Sequence, residues 1–287
     1  MPLLINADDF GLTPGVNGSV VELHRAGVLT SATLMATGAF FDDAVALARA
    51  TPTLEVGCHI VLVDGTPALE PAKIPSLVRP NGQLRPTLGR FAADLYLGRI
   101  RPAEIEAEST AQIRRLQQAG LRVSHLDTHK HTHLFPRVLR PLLRAARACG
   151  VPAIRNPFEP AWAVRATAGS PALRRLQVAM LGIHRPAFRR LVRQAGLATT
   201  AGTLGVLATG TADVPGALRR LLAALPSGPE TWELVCHPGY PDEHLDRVVT
   251  RLRASRAQEH AALLEQIPGI SLATWRDLAG NPPSPCA

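Results

Sequence analysis

Short β-branched or apolar runs alternate with longer amphipathic stretches along almost the whole chain, a rhythm that few folds accommodate. The strand-like runs are Leu3–Asn6, Ser31–Met35, Leu54–Ile60, Arg122–Asp127, Ala153–Arg155, Thr203–Leu207, Trp232–Cys236 and Ile270–Ala273. Between them lie helix-like segments at Val16–Ala26, Phe41–Arg49, Ala103–Ala119, Val138–Cys149, Val214–Ala224 and Leu245–Gln266. A parallel connection needs a dozen or more residues to return, so this alternation predicts a parallel sheet with crossover helices. Seven or eight units predict an α/β fold of the (β/α) barrel type, TIM-barrel-like whether regular or irregular, rather than an open sheet. One domain over residues 1–280 is expected, with a frayed tail at 281–287.

Two stretches interrupt the rhythm. Residues 62–101 are rich in Pro and Gly, as expected of a long loop or lid. Residues 157–202 form an Arg-rich insertion, and no Asp or Glu occurs from Ala161 to Ala212. Within it Arg174, Arg175, Arg185, Arg189, Arg190 and Arg193 interleave with Leu173, Leu176, Met180, Leu181, Phe188 and Leu191. That pattern suits a pair of basic amphipathic helices on an anionic membrane surface, or a solvated helical insertion packed on the barrel.

Composition narrows the function classes. The formal charge of +8 would suit nucleic acid, but aromatics are 4% of the chain and no nucleic-acid-binding motif occurs, so nucleic acid is not an expected partner. No apolar run approaches the roughly 20 residues that cross a bilayer, and no secretory signal precedes Pro2–Ile5. A cytoplasmic protein, in peripheral contact with membrane at most, is the expectation. Cys58, Cys149, Cys236 and Cys286 lack CxxC spacing, which argues against both a disulfide framework and a thiolate zinc site.

Chemistry-bearing residues cluster at the ends of the strand-like runs. Asn6-Ala7-Asp8-Asp9-Phe10-Gly11 ends the first. Adjacent carboxylates repel unless a cation or proton intervenes, so one Asp on a metal and its neighbour as base is a natural division. Gly57-Cys58-His59 ends the third run, and His125-Leu126-Asp127-Thr128-His129-Lys130-His131-Thr132-His133 the next. Alternation puts His125, Asp127, His129, His131 and His133 nominally on one face, but it breaks after Asp127, so only a subset converges. Cys236-His237-Pro238-Gly239-Tyr240 ends the Trp232–Cys236 run. In a barrel these strand ends meet on one rim, which makes a joint metal site the preferred reading over four unrelated turns.

These motifs, in this order, resemble the YdjC-like carbohydrate deacetylases. Further likeness in Gly27-Val28-Leu29-Thr30-Ser31 and His59-Ile60-Val61-Leu62-Val63-Asp64-Gly65 is similar to the branch associated with hopanoid biosynthesis. The resemblance implies a deacetylase-type barrel and hydrolysis of an N-acetyl group on a sugar, in that branch an N-acetylglucosaminyl hopanoid lipid. It implies Asp9, His59 and His129 as metal ligands, Asp8 as general base, His237 as general acid and Arg155 orienting Asp8. Asp127, His131, His133 and Tyr240 are the expected substrate contacts. One divalent ion is expected: magnesium by the resemblance, zinc by the softness of two imidazoles and a carboxylate. A soluble chito-oligosaccharide is the other substrate reading, and self-association stays open. The competing functions are a metal-dependent phosphoesterase and a non-catalytic sugar- or lipid-binding protein. Lys130 stands where the family pattern suggests a neutral side chain, and alternation points it outward.

Overall fold

The computed structural model describes residues 2–167, 169, 171–267 and 269–280. The expected tail at 281–287, with Cys286, lies outside the described residues. Six parallel strands form one curled sheet in the order β4-β3-β2-β1-β6-β5. They are β1 (Leu3–Phe10), β2 (Ser31–Leu34), β3 (Glu55–Ile60), β4 (Val123–Thr128), β5 (Thr203–Leu204) and β6 (Trp232–Cys236). All of β1 is buried, as expected of a parallel strand covered on both faces, here by the helix Pro14–Arg25 outside and by side chains such as Thr33 and Arg155 within the curl of the sheet.

The parallel α/β architecture matches the expectation; a complete eight-stranded barrel is not shown. Ala153–Arg155 and Ile270–Ala273 contribute isolated bridges, Leu126 to Ile154 and Leu3 to Leu272, in place of full ladders. Backbone bonds from Ile154 N to Ala198 O and Thr203 N to Phe158 O cross the interval between β4 and β5.

Helix α1 (Pro14–Arg25) starts where Thr13 caps Val16 N with Pro14 at the first position, and it buries Val16, Val20 and Leu23. Helices α2 (Phe41–Arg49), α3 (Leu88–Tyr96), α4 (Pro102–Gln118) and α5 (Pro136–Ala148) follow. The Pro/Gly-rich stretch is tied to α4 by buried carboxylates. Glu108 accepts from Ala68 N and Leu69 N, Glu104 from Ser76 N, and Gln112 bonds both Val61 N and Val61 O.

The Arg-rich segment is helical: α6 (Ala161–Ala166), α7 (Ala172–Leu181) and α8 (Arg185–Ala195). Its two main helices behave differently. Helix α8 buries Phe188, Leu191 and Val192, with Phe188 edge-on to Phe158. Helix α7 buries nothing, and Leu173, Leu176, Met180 and the following Ile183 are 56–78% exposed.

After α9 (Val214–Ala223), the single helix expected over Leu245–Gln266 is two: α10 (Glu243–Arg247) and α11 (Arg256–Gln266). The β-branched run Val248-Val249-Thr250 disfavours a continuous helix, and Val248–Leu252 instead border the main pocket. No helix among the described residues is long and apolar enough to cross a membrane.

Candidate metal centre and active site

β1 delivers two adjacent carboxylates to one place by breaking its own alternation. Side chains on a strand normally point to opposite faces. At Asp9 the backbone turns left-handed, with φ 66°, and the β1–β2 register shifts between Ala7 and Phe10. Asp8 and Asp9 therefore both border the same pocket of about 590 Å³. Such backbone strain in a non-glycine residue typically costs ~1–3 kcal/mol and gathers at functional sites.

Asp9, His59 and His129 converge. Asp9 Oδ1 lies 3.6 Å from His59 Nε2 and 3.5 Å from His129 Nδ1, and the two ring nitrogens are 3.3 Å apart. Two ligands on a tetrahedral zinc with bonds of about 2.0–2.1 Å stand about 3.3–3.4 Å apart. The three atoms thus already have the spacing of one tetrahedral face.

The surroundings fit a cation. His59 Nδ1 donates to Asp127 Oδ1 at 2.8 Å, which leaves Nε2 as the lone-pair nitrogen facing Asp9 and His129. Burial disfavours a charged His59, but Asp127, with Asp8 and Asp9, pushes it up to about 9. An ion would take the place of that proton. Four buried acids (Asp8, Asp9, Asp127 and Glu233) surround two buried arginines, Arg155 and Arg256, an imbalance that a divalent ion offsets. A second grouping of Asp8, His59 and Asp127 also lies within ligand distance, but Asp127 already serves His59, Thr33 and Arg155.

Arg155 organises the carboxylates. It bonds Asp8 through both terminal nitrogens, at 2.8 and 2.7 Å, Glu233 through Nε at 2.7 Å, and also contacts Asp127. Burial would raise Asp8, yet the Arg155 guanidinium and the neighbouring His59 hold it well below the usual carboxylate range. Burial likewise opposes an ionised Asp9, but Arg256, 2.5 Å from Asp9 Oδ2, together with His129 and His237 holds it well below the usual carboxylate range. Glu233 has less help, and burial pushes it up to about 7.

His237 enters from the end of β6 with Nε2 3.8 Å from Asp8 Oδ2. Burial lowers its pKa, against the pull of Asp8, Asp9 and Glu259. His131 borders this pocket and the adjoining one, its Nδ1 is buried without a partner, and burial lowers it to about 3. Lys130 and His131 both have positive φ, which ends the β4 alternation. Lys130 turns to the rim, where its ammonium meets Asp64 at 2.5 Å.

Three expected substrate contacts are absent from the pocket lining. Asp127 is fully buried beneath His59. His133 is held between Thr128 Oγ1 and Arg155 O. Tyr240 bonds Glu22 and His260. His125 lies away from Asp9, His59 and His129, stacked on Trp275 at 4.2 Å. Cys58 and Cys236 are free and buried, in keeping with their turning away from the site.

Thr33, Arg256, Glu233, Thr209 and Glu259 are site neighbours that the motifs do not contain. A lone acid inside the apolar run Trp232–Cys236 was a readable signal for Glu233; Arg256 and Glu259 sit in an ordinary-looking helix and gave none.

Sheet and cluster together define a parallel α/β protein with an Asp and His cluster at its strand ends that is spaced to hold a cation. The chain belongs to the YdjC-like family, whose description, YdjC-like protein, matches residues 2–267. It is similar to the carbohydrate deacetylase of Brevibacillus brevis, 43% identical over 158 residues, which are 55% of this chain and 60% of that protein. To the carbohydrate deacetylase of Oceanobacillus iheyensis it is 37% identical over 155 residues, 53% of this chain and 64% of that one. These matches span less than two thirds of the relatives' length. A crystal structure from Enterococcus faecalis V583, named as a candidate cellobiose-phosphate cleavage protein, has a TM-score of 0.72 at 27% identity, covering 97% of this chain and 99% of that one.

Proposed function

We propose that this chain hydrolyses the N-acetyl group of an N-acetylated sugar at a divalent ion held by Asp9, His59 and His129. The observation that carries the reading is the spacing of 3.3–3.6 Å among those three ligand atoms, with Asp8 and His237 beside them. When bound, the ion supplies polarisation of the amide carbonyl and a more acidic water. Asp8, oriented by Arg155, takes the proton of the attacking water. His237 delivers a proton to the sugar nitrogen, which otherwise leaves poorly. The ligand spacing supports zinc; the likeness to the family supports magnesium.

For the substrate we favour an N-acetylated sugar on an apolar carrier, such as the N-acetylglucosaminyl hopanoid lipid of the branch that the sequence resembles. An adjoining pocket of about 520 Å³ shares Lys130, His131 and Arg174 with the first and is walled by Leu134, Phe158 and Leu181, among others. The exposed apolar stripe of α7, flanked by arginines with no acidic residue between, supports peripheral contact with an anionic membrane, on its cytoplasmic face.

The deciding assay offers N-acetylglucosaminyl lipid and N-acetylchitobiose side by side, with and without chelator, and measures released acetate. Chelator-sensitive acetate from the lipid is expected. Acetate from chitobiose alone would move the substrate to soluble chito-oligosaccharides. Phosphate from a phosphorylated disaccharide, with no acetate from either sugar, would replace the reading with phosphoester hydrolysis.

A further inference from the structure

Behind His237 runs a buried chain of hydrogen bonds. Thr209 Oγ1 lies 3.2 Å from His237 Nδ1, and the same hydroxyl donates to Glu259 Oε1. Glu259 Oε2 accepts the backbone N–H of His237 at 2.6 Å, and Ser255 Oγ donates to Oε1 at 3.3 Å. Thr209 and Glu259 are about 95% buried, so water does not compete for these bonds.

A hydroxyl has one hydrogen and two lone pairs, and a carboxylate only accepts. The Thr209 hydrogen is committed to Glu259, so toward the ring this oxygen offers only a lone pair. Nδ1 must then carry the proton. In the neutral ring Nε2 is bare, and it faces Asp8 Oδ2 in the pocket.

We infer that Thr209 and Glu259 are positioning residues that lock His237 as its Nδ1–H tautomer, so that Nε2 receives the proton released by the attacking water and passes it to the leaving amine. The last step rests on the deacetylase reading; the tautomer does not. The proton balance is closed: the water O–H breaks, hydroxide adds to the acetyl carbon, the C–N bond breaks, and the same proton travels through Asp8 and Nε2 to the nitrogen. With Nε2 protonated, the positive ring is flanked through Thr209 by the Glu259 carboxylate, so the relay favours the form that must donate. The other charged or titratable groups near this ring are Asp8 and Asp9 from β1, Arg256 from α11 and His131 beyond β4. Among the described residues only Thr209 bonds Nδ1, and Glu259 acts through it.

The test is nitrogen-15 NMR of histidine-labelled, metal-free protein above the ring's titration, with His237 assigned from the His237→Gln spectrum. A protonated Nδ1 and a bare Nε2 are expected in the native protein. In Thr209→Val the preference should disappear, and kcat should fall between about tenfold and a hundredfold with KM within about twofold, less than the ~10²–10⁴ of a whole general acid. Thr209→Ser should restore both tautomer and rate. A protonated Nε2 in the native neutral ring, or an unchanged tautomer in Thr209→Val, would overturn the relay. If Thr209→Val does not fold, the native spectrum alone decides. Correct tautomer behaviour with no acetate released from any sugar would keep the relay and sink the deacetylase reading instead.

Discussion

Arg155 holds Asp8 by both oxygens, Nη1 to Oδ2 at 2.8 Å and Nη2 to Oδ1 at 2.7 Å, where neither side chain is more than 3% exposed. The pair fixes the carboxylate plane that faces His237. Removing the guanidinium would leave Asp8, Asp127 and Glu233 without their shared counter-charge. Arg155→Met should destabilise the protein by about 3–5 kcal/mol, the usual result of orphaning a buried ion pair. Arg155→Lys should lose less, keeping the charge but not the two-pronged grip. A urea midpoint for Arg155→Met within experimental error of the native value would contradict this account.

On the proposed assignment, with Asp9 supplying the ligand oxygen, Asp8→Asn should still bind the divalent ion. Turnover should fall by ~10²–10⁴ if Asp8 is the base. Metal titration and acetate release on one preparation separate the two effects. Near-native turnover would reassign the base.

Asp127 should matter to the metal without touching it. Its hydrogen bond fixes which His59 nitrogen is free, and outer carboxylates of this kind are worth ~10–100-fold in metal affinity. Isothermal titration of zinc into Asp127→Asn is the direct measurement. An unchanged affinity would mean that His59 is oriented by something else.

The His59 and His131 contributions to metal-free stability together should be greatest near pH 6.5 and fall on both sides. Glu233, raised from 4.5 to about 7, subtracts stability as pH rises through that span and so flattens the acid limb. His59 is raised from 6.5 to about 9, so its contribution is complete below 6.5 and is lost as pH rises through 9. His131 is lowered from 6.5 to about 3, so the unfolded chain binds protons first and stability falls as pH drops below 6.5. Asp8 and Asp9, depressed below 3.8, add a further loss as pH falls below that value. Bound metal should flatten the alkaline limb, since it occupies His59 in place of the proton. Thermal melts from pH 4 to 9 with chelator, then with zinc, test both limbs.

Vesicles containing phosphatidylserine should retain the protein, and neutral vesicles should not. Replacing Arg189, Arg190 and Arg193 by Gln should weaken binding, since each basic residue near an anionic surface is worth ~1 kcal/mol. Undiminished binding in that triple variant would remove the arginines from the explanation.

Much of the site could be read from residue order, for a physical reason. A parallel α/β chain returns every strand end to one rim, so Asp9, His59, His129 and His237, far apart in sequence, needed only the topology to meet. What could not be read depended on side chains reaching across from elements that carry no motif. Arg256 comes from α11, whose outward pattern is that of any amphipathic helix. Gly57 shows the same limit: a Cβ there would lie 2.5 Å from the His125 ring, so the glycine makes room for a histidine 68 positions away. The helix expected across 245–266 failed for a local reason, three consecutive β-branched residues. Full closure of the sheet is not shown, because Ala153–Arg155 and Ile270–Ala273 have strand composition but form only isolated bridges.

The left-handed turn at Asp9 has a consequence for anyone wishing to transplant or redesign this centre. Grafting Asp-Asp onto a regular strand would send one acid into the pocket and its twin into the packing behind. The bend and the pair therefore have to be inherited together, and a substitution that straightens position 9 should disable Asp8 and Asp9 at once.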